Sequence, residues 1–247
     1  MSDTDAKVLF ISVFNYGSIR LAKNHIQSLL NCGLTNYMAF VTDDESAEEL
    51  SKSGYTNITR VNEDGVTPDK KDFGSEEFNG LSYLRYKIIY GLLKQGIHVW
   101  YMDVDTVCVK TVIDFCERFM KIEEDIVFQS DLSMLCTGCM LVRPSERSIN
   151  LMEVIYGNRT KEDNDQIFLR KYMSFMPNTF KHAIFPIHQF PCGVLYFDAE
   201  FVNITPDVLS MRKIVKPETV LFVHANWMIG NTKKEDAFKS KNLWFIE

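Results

Sequence analysis

Asp103 and Asp105 interrupt an otherwise apolar run, with Val99-Trp100-Tyr101-Met102 before them and Thr106-Val107 after. A carboxylate is costly to bury unpaired, so two of them ending a strand that reads as core require a compensating positive charge. A divalent cation is the simplest. Mg²⁺ and Mn²⁺ prefer oxygen ligands and are held by one or two carboxylates, with substrate phosphates completing the shell. The chemistry would be that of a nucleoside diphosphate or a similar polyphosphate ester. Asp-x-Asp also arises by chance in acidic chains, where it marks a loop or a solvated edge, so the neighbours must decide.

His224 closes a second apolar run, Leu221-Phe222-Val223, as Asp103 closes its own. A lone histidine is more often structural than ligating. Here it leads into Ala225-Asn226-Trp227-Met228-Ile229-Gly230-Asn231-Thr232-Lys233-Lys234. A histidine, a glycine that lets backbone approach closely, and two lysines together suit a diphosphate.

The elements that must position these groups alternate along the chain. Residues 7–14 form a strand ending at Asn15-Tyr16-Gly17, and a helix with Ile19, Ala22, Ile26, Leu29 and Leu30 at roughly helical spacing stops at Asn31-Cys32-Gly33. Residues 37–42 give a second strand ending at Asp43, 47–51 a short helix, 56–61 a third strand, and 62–73 a polar loop. An amphipathic helix over 76–95 carries Phe78, Leu81, Leu84, Ile88, Ile89 and Leu92 at spacings of three and four. Gly96 ends it, and 97–102 is the strand that delivers the aspartates. Further on, 125–129 and 140–142 read as strands, 148–156 as a helix, Glu162-Asp163-Asn164-Asp165-Gln166 as an acidic loop opening another helix, and 220–223 as a last strand. This alternation predicts an α/β fold: a mixed, mostly parallel sheet flanked by helices. Ligands of such sheets sit beyond the strands' carboxyl ends, where Asn15-Tyr16, Thr42-Asp43 and Asp103-Val104-Asp105 all fall.

Composition narrows the classes. The 247 residues suit one domain. A formal charge of -6 leaves no electrostatic footprint for nucleic acid or an anionic membrane. No apolar stretch approaches the roughly 20 residues of a membrane span, and no signal peptide is visible, so a cytoplasmic location is expected. Of the cysteines, only Cys136 and Cys139 have a ligand-like spacing, and with no second pair the six read as reduced thiols rather than a zinc site. The Asn57, Asn158 and Asn203 glycosylation patterns read as fortuitous.

The ordered set of pieces resembles the GT-A type nucleotide-diphospho-sugar transferase family, which includes plant cell-wall xylosyltransferases and, more distantly, glycogenin-like enzymes. The matching pieces are Tyr83-Leu84-Arg85-Tyr86-Lys87, the segment 96–107 around Asp103-Val104-Asp105, Thr137-Gly138-Cys139-Met140-Leu141-Val142-Arg143-Pro144, Asp165-Gln166, and His224-Ala225-Asn226-Trp227 with Gly230, Lys234 and Leu243-Trp244. The resemblance implies a single Rossmann-like GT-A domain over 1–247, with 1–107 as its nucleotide-binding half and 108–247 as its sugar and acceptor half. It implies a metal-dependent transferase of a hexose or pentose, taking a UDP-sugar foremost and retaining anomeric configuration. Asp103, Asp105 and His224 would hold Mn²⁺ or Mg²⁺. Lys234, with Lys233 beside it, would neutralise the diphosphate, and Val104, Asn226 and Gly230 would line the donor site. Arg85 would reach the donor, with Lys87 as second choice. Asp165 and Gln166 would face the anomeric carbon, although an acid at Asp165 also suits a helix N-terminus. Thr137 and Gly138 would line the sugar pocket, and Asn15, Tyr16 and Asp43 would hold the nucleoside.

One departure stands out: relatives often carry asparagine where this chain has Cys136, so donor identity does not carry over. Two other classes fit the residues less well. A nucleotidyltransferase would show a Gly-rich basic loop after the first strand, which Asn15-Tyr16-Gly17-Ser18-Ile19-Arg20 matches poorly. A non-catalytic sugar-nucleotide-binding module would have no need of the acidic pair, His224 and Lys234 together.

Overall fold

The computed structural model describes residues 8–62, 76–158 and 164–247. Lys7, most of the expected loop over 62–73, Arg159, Thr160, Glu162 and Asp163 lie outside the described residues, as does the side chain of Phe78. The elements in chain order are β1 (Val8–Phe14), α1 (Ile19–Asn31), β2 (Tyr37–Val41), α2 (Asp44–Lys52), β3 (Ile58–Arg60), α3 (Glu76–Leu93), β4 (His98–Met102), β5 (Thr106–Cys108) and α4 (Ile113–Phe119). They continue with β6 (Ile126–Ser130), β7 (Leu135–Val142), α5 (Glu146–Gly157), α6 (Asp165–Phe175), β8 (His182–Ile184), α7 (Gly193–Tyr196), α8 (Pro206–Arg212), β9 (Phe222–His224) and α9 (Asn231–Ser240).

Seven strands form one sheet in the order β3-β2-β1-β4-β7-β6-β8. β1 pairs in parallel with both β2 and β4, β2 with β3, and β6 with β8. β7 is antiparallel to β4 and to β6, so it runs against the other six. The carboxyl ends of β1, β2, β4 and β6 therefore share an edge with the amino end of β7. That reversal brings the segment around Gly138 beside Asp103.

The inner strands β2, β1, β4, β7 and β6 are buried on both faces, so successive residues feed opposite cores. Trp100 and Met102 enter the core covered by α1, α2 and α4, while Val99 and Tyr101 enter the one beneath α3, α5 and α6. Leu84, Ile88 and Ile89 of α3 are buried in that second core, and Leu81 and Leu92 pack at its margin. A third core, including Val107, Val194, Val223 and Phe238, lies under a separate two-stranded sheet of β5 and β9.

Several expected elements differ in extent. β7 begins at Leu135 rather than at residue 140, because two antiparallel neighbours extend its ladder through Gly138. The last strand is three residues long and pairs with β5, not with the main sheet. Pro206 occupies the first turn of α8, a helix not expected there, where a proline's missing N–H is harmless.

Candidate active site

β4 delivers Asp103 to the sheet edge, and its ladder with β7 continues one step further through Asp103 N–H donating to the Gly138 carbonyl at 2.7 Å. The Tyr101 hydroxyl, two residues back on the same face, donates to Asp103 Oδ1 at 2.6 Å. Arg85 Nη1 lies 3.2 Å from that oxygen. Arg85 is buried, donates through Nε to the Ser82 carbonyl (2.8 Å) and through Nη1 to the Thr137 carbonyl (3.0 Å), and lies over the Tyr101 ring. Its Nε is also 3.8 Å from Asp165 Oδ2, which accepts from the Tyr86 hydroxyl at 2.8 Å. Burial alone would lower the Arg85 pKa, but the neighbouring Asp103 and Asp165 carboxylates outweigh it and hold the pKa well above the ordinary value. Arg85 is thus a fixed positive charge between two carboxylates.

The turn from Asp103 to Thr106 is pinned from below. Thr106 Oγ1 donates to the Asp103 carbonyl at 2.6 Å. Buried His25 of α1 sits beneath, with Nδ1 3.0 Å from the Thr106 carbonyl and Nε2 3.1 Å from Ser12 Oγ. β5 then leaves antiparallel to β9, with Thr106 opposite His224, and Ala225 N–H donates to the Asp105 carbonyl at 2.8 Å. This register sets His224 Nε2 3.2 Å from Asp105 Oδ1. Lys234 of α9 reaches Asp105 Oδ2 at 2.7 Å. Burial would raise the Asp105 pKa, but Lys234 and His224 outweigh it and hold the carboxyl well below the usual range. Burial would lower the His224 pKa, but Asp105 outweighs it and raises it well above the ordinary value. The pair is therefore ionised, and a cation bound at Nε2 would replace the ring's proton.

Asp103, Asp105 and His224 each offer a ligand atom, all within 4.8 Å of one another. Two carboxylates and an imidazole on a buried edge fit Mn²⁺ or Mg²⁺. Gly138 faces this group directly. A Cβ built there would lie 2.7 Å from His224 Cε1 and 3.1 Å from Asp103 Cγ, with Asp103 Oδ2 nearer still.

Beyond Gly138, Gln166 accepts from Thr137 N–H through Oε1 (3.4 Å) and donates through Nε2 to Asp131 Oδ2 (3.0 Å). Asp131 Oδ1 accepts from Asn226 Nδ2 (3.0 Å) and from the Trp227 indole. Asp131 thereby ties the end of β6 to α6 and to the segment after β9. Asn226 Oδ1 in turn accepts from Gly193 N–H at 2.6 Å. A Cβ at Gly193 would run into the Asn226 carbonyl, so the backbone approach at α7 requires glycine. Gly230, at φ 98°, turns the chain into α9 and so places Lys234.

On the β1–β2 side, Asn15 is buried and Tyr16 is half-exposed. Asp43 caps α2 by accepting from Ser46 N–H (2.7 Å) and ties in Tyr16 by accepting from its N–H (2.9 Å). Two of the expected residues lie apart from the cluster. Lys87 projects from the far side of α3, where its ammonium covers the Tyr156 ring at 5.6 Å. Two residues along a helix is more than half a turn, so Arg85 facing inward forces Lys87 outward. Lys233, one residue and about 100° around α9 from inward Lys234, is exposed. Val104, between the two aspartates, is half-buried, and its side chain packs against two of the cores. Gln129, Asp131, Tyr101 and Gly193 also belong to the site or its support, and sequence reasoning missed them. Gln129 had one available signal, a lone amide within the apolar run Ile126-Val127-Phe128.

Comparisons with known proteins bear on the family and the fold. A fucose α-1,3-xylosyltransferase of Arabidopsis thaliana, described as using UDP-D-xylose, is 24% identical over 201 residues, covering 71% of this chain and 50% of the relative. A fucoside α-3-galactosyltransferase of Dictyostelium discoideum, described as using UDP-galactose, is 20% identical over 240 residues, covering 84% of this chain and 35% of the relative. The chain thus spans half the length or less of these two curated relatives. Among solved structures, the galactosyltransferase LgtC with donor and acceptor sugar analogues superposes with a TM-score of 0.59 at 13% identity, over 95% of this chain and 93% of that one. Mouse xyloside xylosyltransferase 1 gives 0.58 at 11% identity, over 89% and 98%. The profile of the nucleotide-diphospho-sugar transferase family matches residues 32–238, which take in every residue of the Asp103, Asp105 and His224 group, and the chain belongs to that family.

Proposed function

We propose that this protein is a metal-dependent glycosyltransferase that moves a hexose or pentose from a nucleotide sugar, a UDP-sugar foremost, to a hydroxyl of a glycan, protein or small-molecule acceptor, with retention of configuration. The observation that carries the proposal is the convergence of Asp103, Asp105, His224 and Lys234 on one point of the sheet edge. The UDP donor is supported by the two curated relatives, whose descriptions name UDP-xylose and UDP-galactose. The proposal takes residues 1–247 as one catalytic domain acting in the cytoplasm; no described helix is long and apolar enough to cross a membrane.

Asp103, Asp105 and His224 would hold Mn²⁺ or Mg²⁺, which when bound supplies Lewis-acid stabilisation of the donor diphosphate and of the departing nucleoside diphosphate. Lys234 adds a second positive charge to the same phosphates. Asp43 and Asn15 would contact the nucleoside, and the half-exposed ring of Tyr16 would stack on the base. Gly138, Thr137, Gln166 and Asn226 would line the sugar. Arg85 fixes Asp103 and Asp165 in place. Asp165 is buried, and its Oδ2 is committed to the Tyr86 hydroxyl and faces Arg85. A carboxylate so engaged is a weak nucleophile. That favours attack by the acceptor on the face the nucleotide leaves, with the acceptor proton passing to the departing phosphate. Exposed Trp227, bordering Gln166 through Asp131, would meet the acceptor.

Calorimetric titration with UDP, with and without Mn²⁺, tests the donor site, and UDP release across a sugar and acceptor panel tests turnover. Manganese-dependent UDP binding that Asp103→Ala abolishes is the expected result. A folded protein that binds no nucleotide would overturn the proposal. Binding without UDP release over the panel would favour the non-catalytic module.

A further inference from the structure

Gln129 stands near the end of β6, where the β6–β7 register shifts between Phe128 and Gln129. Such an irregularity re-aims a side chain. Its side chain is fully buried and crosses to the β9 end of the molecule. Gln129 Nε2 donates to the carbonyls of Phe190 (3.2 Å) and Pro191 (3.1 Å), and Oε1 lies 2.8 Å from His224 Nδ1. Carbonyl oxygens only accept, so the NH₂ end of the amide must face Phe190 and Pro191. Turning the amide over would oppose oxygen to two carbonyls. Oε1 therefore faces the imidazole and can only accept, which requires the hydrogen on Nδ1. The Cys136 thiol, 3.7 Å from the same nitrogen, is a far weaker partner. With the Nδ1 hydrogen held by Gln129, the opposite nitrogen, Nε2, is the one that faces the cluster beside Asp105, and its lone pair becomes available when a cation displaces the proton it shares with Asp105.

We propose that Gln129 is a positioning residue. It fixes the tautomer and the ring angle of His224, so that Nε2 is presented as a ligand to the divalent cation. This rests on His224 being a ligand. A ligating histidine generally donates its other ring hydrogen to such an acceptor, and losing that acceptor weakens metal affinity about 10–100-fold. Gln129 itself touches no substrate.

The test is a double-mutant cycle on the full chain, with free Mn²⁺ measured by electron paramagnetic resonance and folding followed by thermal melting. Gln129→Met keeps the side chain's length and removes the acceptor. It is expected to weaken Mn²⁺ binding about 10–100-fold in the native background and to add nothing in a His224→Ala background. Equal losses in both backgrounds would mean a general structural effect and would overturn the proposal. If His224→Ala leaves Mn²⁺ affinity unchanged, the ligand assignment itself fails and the proposal falls with it, a result distinguishable from the first. Nitrogen-15 spectra of histidine-labelled wild-type protein with Mg²⁺, assigned through a His224→Gln variant, give an answer even if Gln129→Met does not fold. A hydrogen on Nδ1 of His224 is expected, and a hydrogen on Nε2 would refute it.

Discussion

Gly138→Ala is the sharpest test of how the site is built, because one methyl group enters the space between two proposed ligands. Ordinary contacts to a Cβ begin at 3.4 Å and His224 Cε1 would sit at 2.7 Å, so the ring must retreat by about 0.7 Å, and the Asp103 carboxylate must move as well. Neither is free to do so. Asp103 is held by the Tyr101 hydroxyl, by Arg85 and by its own N–H on the Gly138 carbonyl. His224 is held between Gln129 and Asp105. Overpacking of this kind costs about 1–3 kcal/mol. In a chain of this size that lowers Tm by about 2–4 °C for each kcal/mol. The functional cost is larger, since ligand distances in metal sites tolerate only about ±0.2 Å. A misplacement near 1 Å can cost about 100-fold in rate. Mn²⁺ affinity is therefore expected to fall about 10–100-fold and UDP release about 100-fold, from a protein that still melts cooperatively. Gly138→Ala protein with native Mn²⁺ affinity and turnover would refute the reasoning, as would a variant whose loss of activity follows the fraction unfolded.

Four further outcomes are expected. Asp105→Ala should abolish Mn²⁺-dependent UDP binding, measured by calorimetry, and full activity of that variant in the presence of chelator would sink the proposed mechanism. Lys234→Met should raise the donor KM by about 10-fold or more, the scale of one charge-assisted hydrogen bond, with less effect on Mn²⁺ binding; an unchanged donor KM counts against a phosphate role. Arg85→Leu should destabilise the fold by about 3–5 kcal/mol in denaturant titration, because it strips the partner from two carboxylates at the site, and a change below 1 kcal/mol would show that Asp103 and Asp165 need no counter-charge. His25 is fully buried, and that burial pushes its pKa down to about 4. The unfolded chain, titrating near 6.5, then binds more protons between these values, so this stability is complete above about pH 6.5 and is lost as pH falls toward 4. The loss amounts to about 3 kcal/mol. His25→Gln should remove that part of the slope, and parallel stability curves for the two proteins would contradict it.

Local pattern carried much of this protein. Apolar runs ending in polar residues located β1, β2 and β4 and the shared edge where Asn15, Asp43 and Asp103 emerge, because a strand buried on both faces must end where the polar chain begins. The spacing of Leu84, Ile88 and Ile89 located α3 and its buried face. Asp103, Asp105, His224 and Lys234 could be named from residue type and from the order of the family's pieces. Pairing between distant segments decided the rest. His224 meets Asp105 only because β5 and β9 form their own small antiparallel sheet, and Gly138 reaches Asp103 only because β7 runs against its neighbours. Which of two nearby basic residues faces inward, Arg85 or Lys87, depends on how α3 packs against the sheet, and motif order does not encode that rotation. Gln129 and Asp131 were invisible for the same reason: each acts through partners that are remote in sequence and adjacent only after the chain has folded. A side chain's chemistry belongs to its own position, but its partners are set by register and packing, which no short stretch of residues contains.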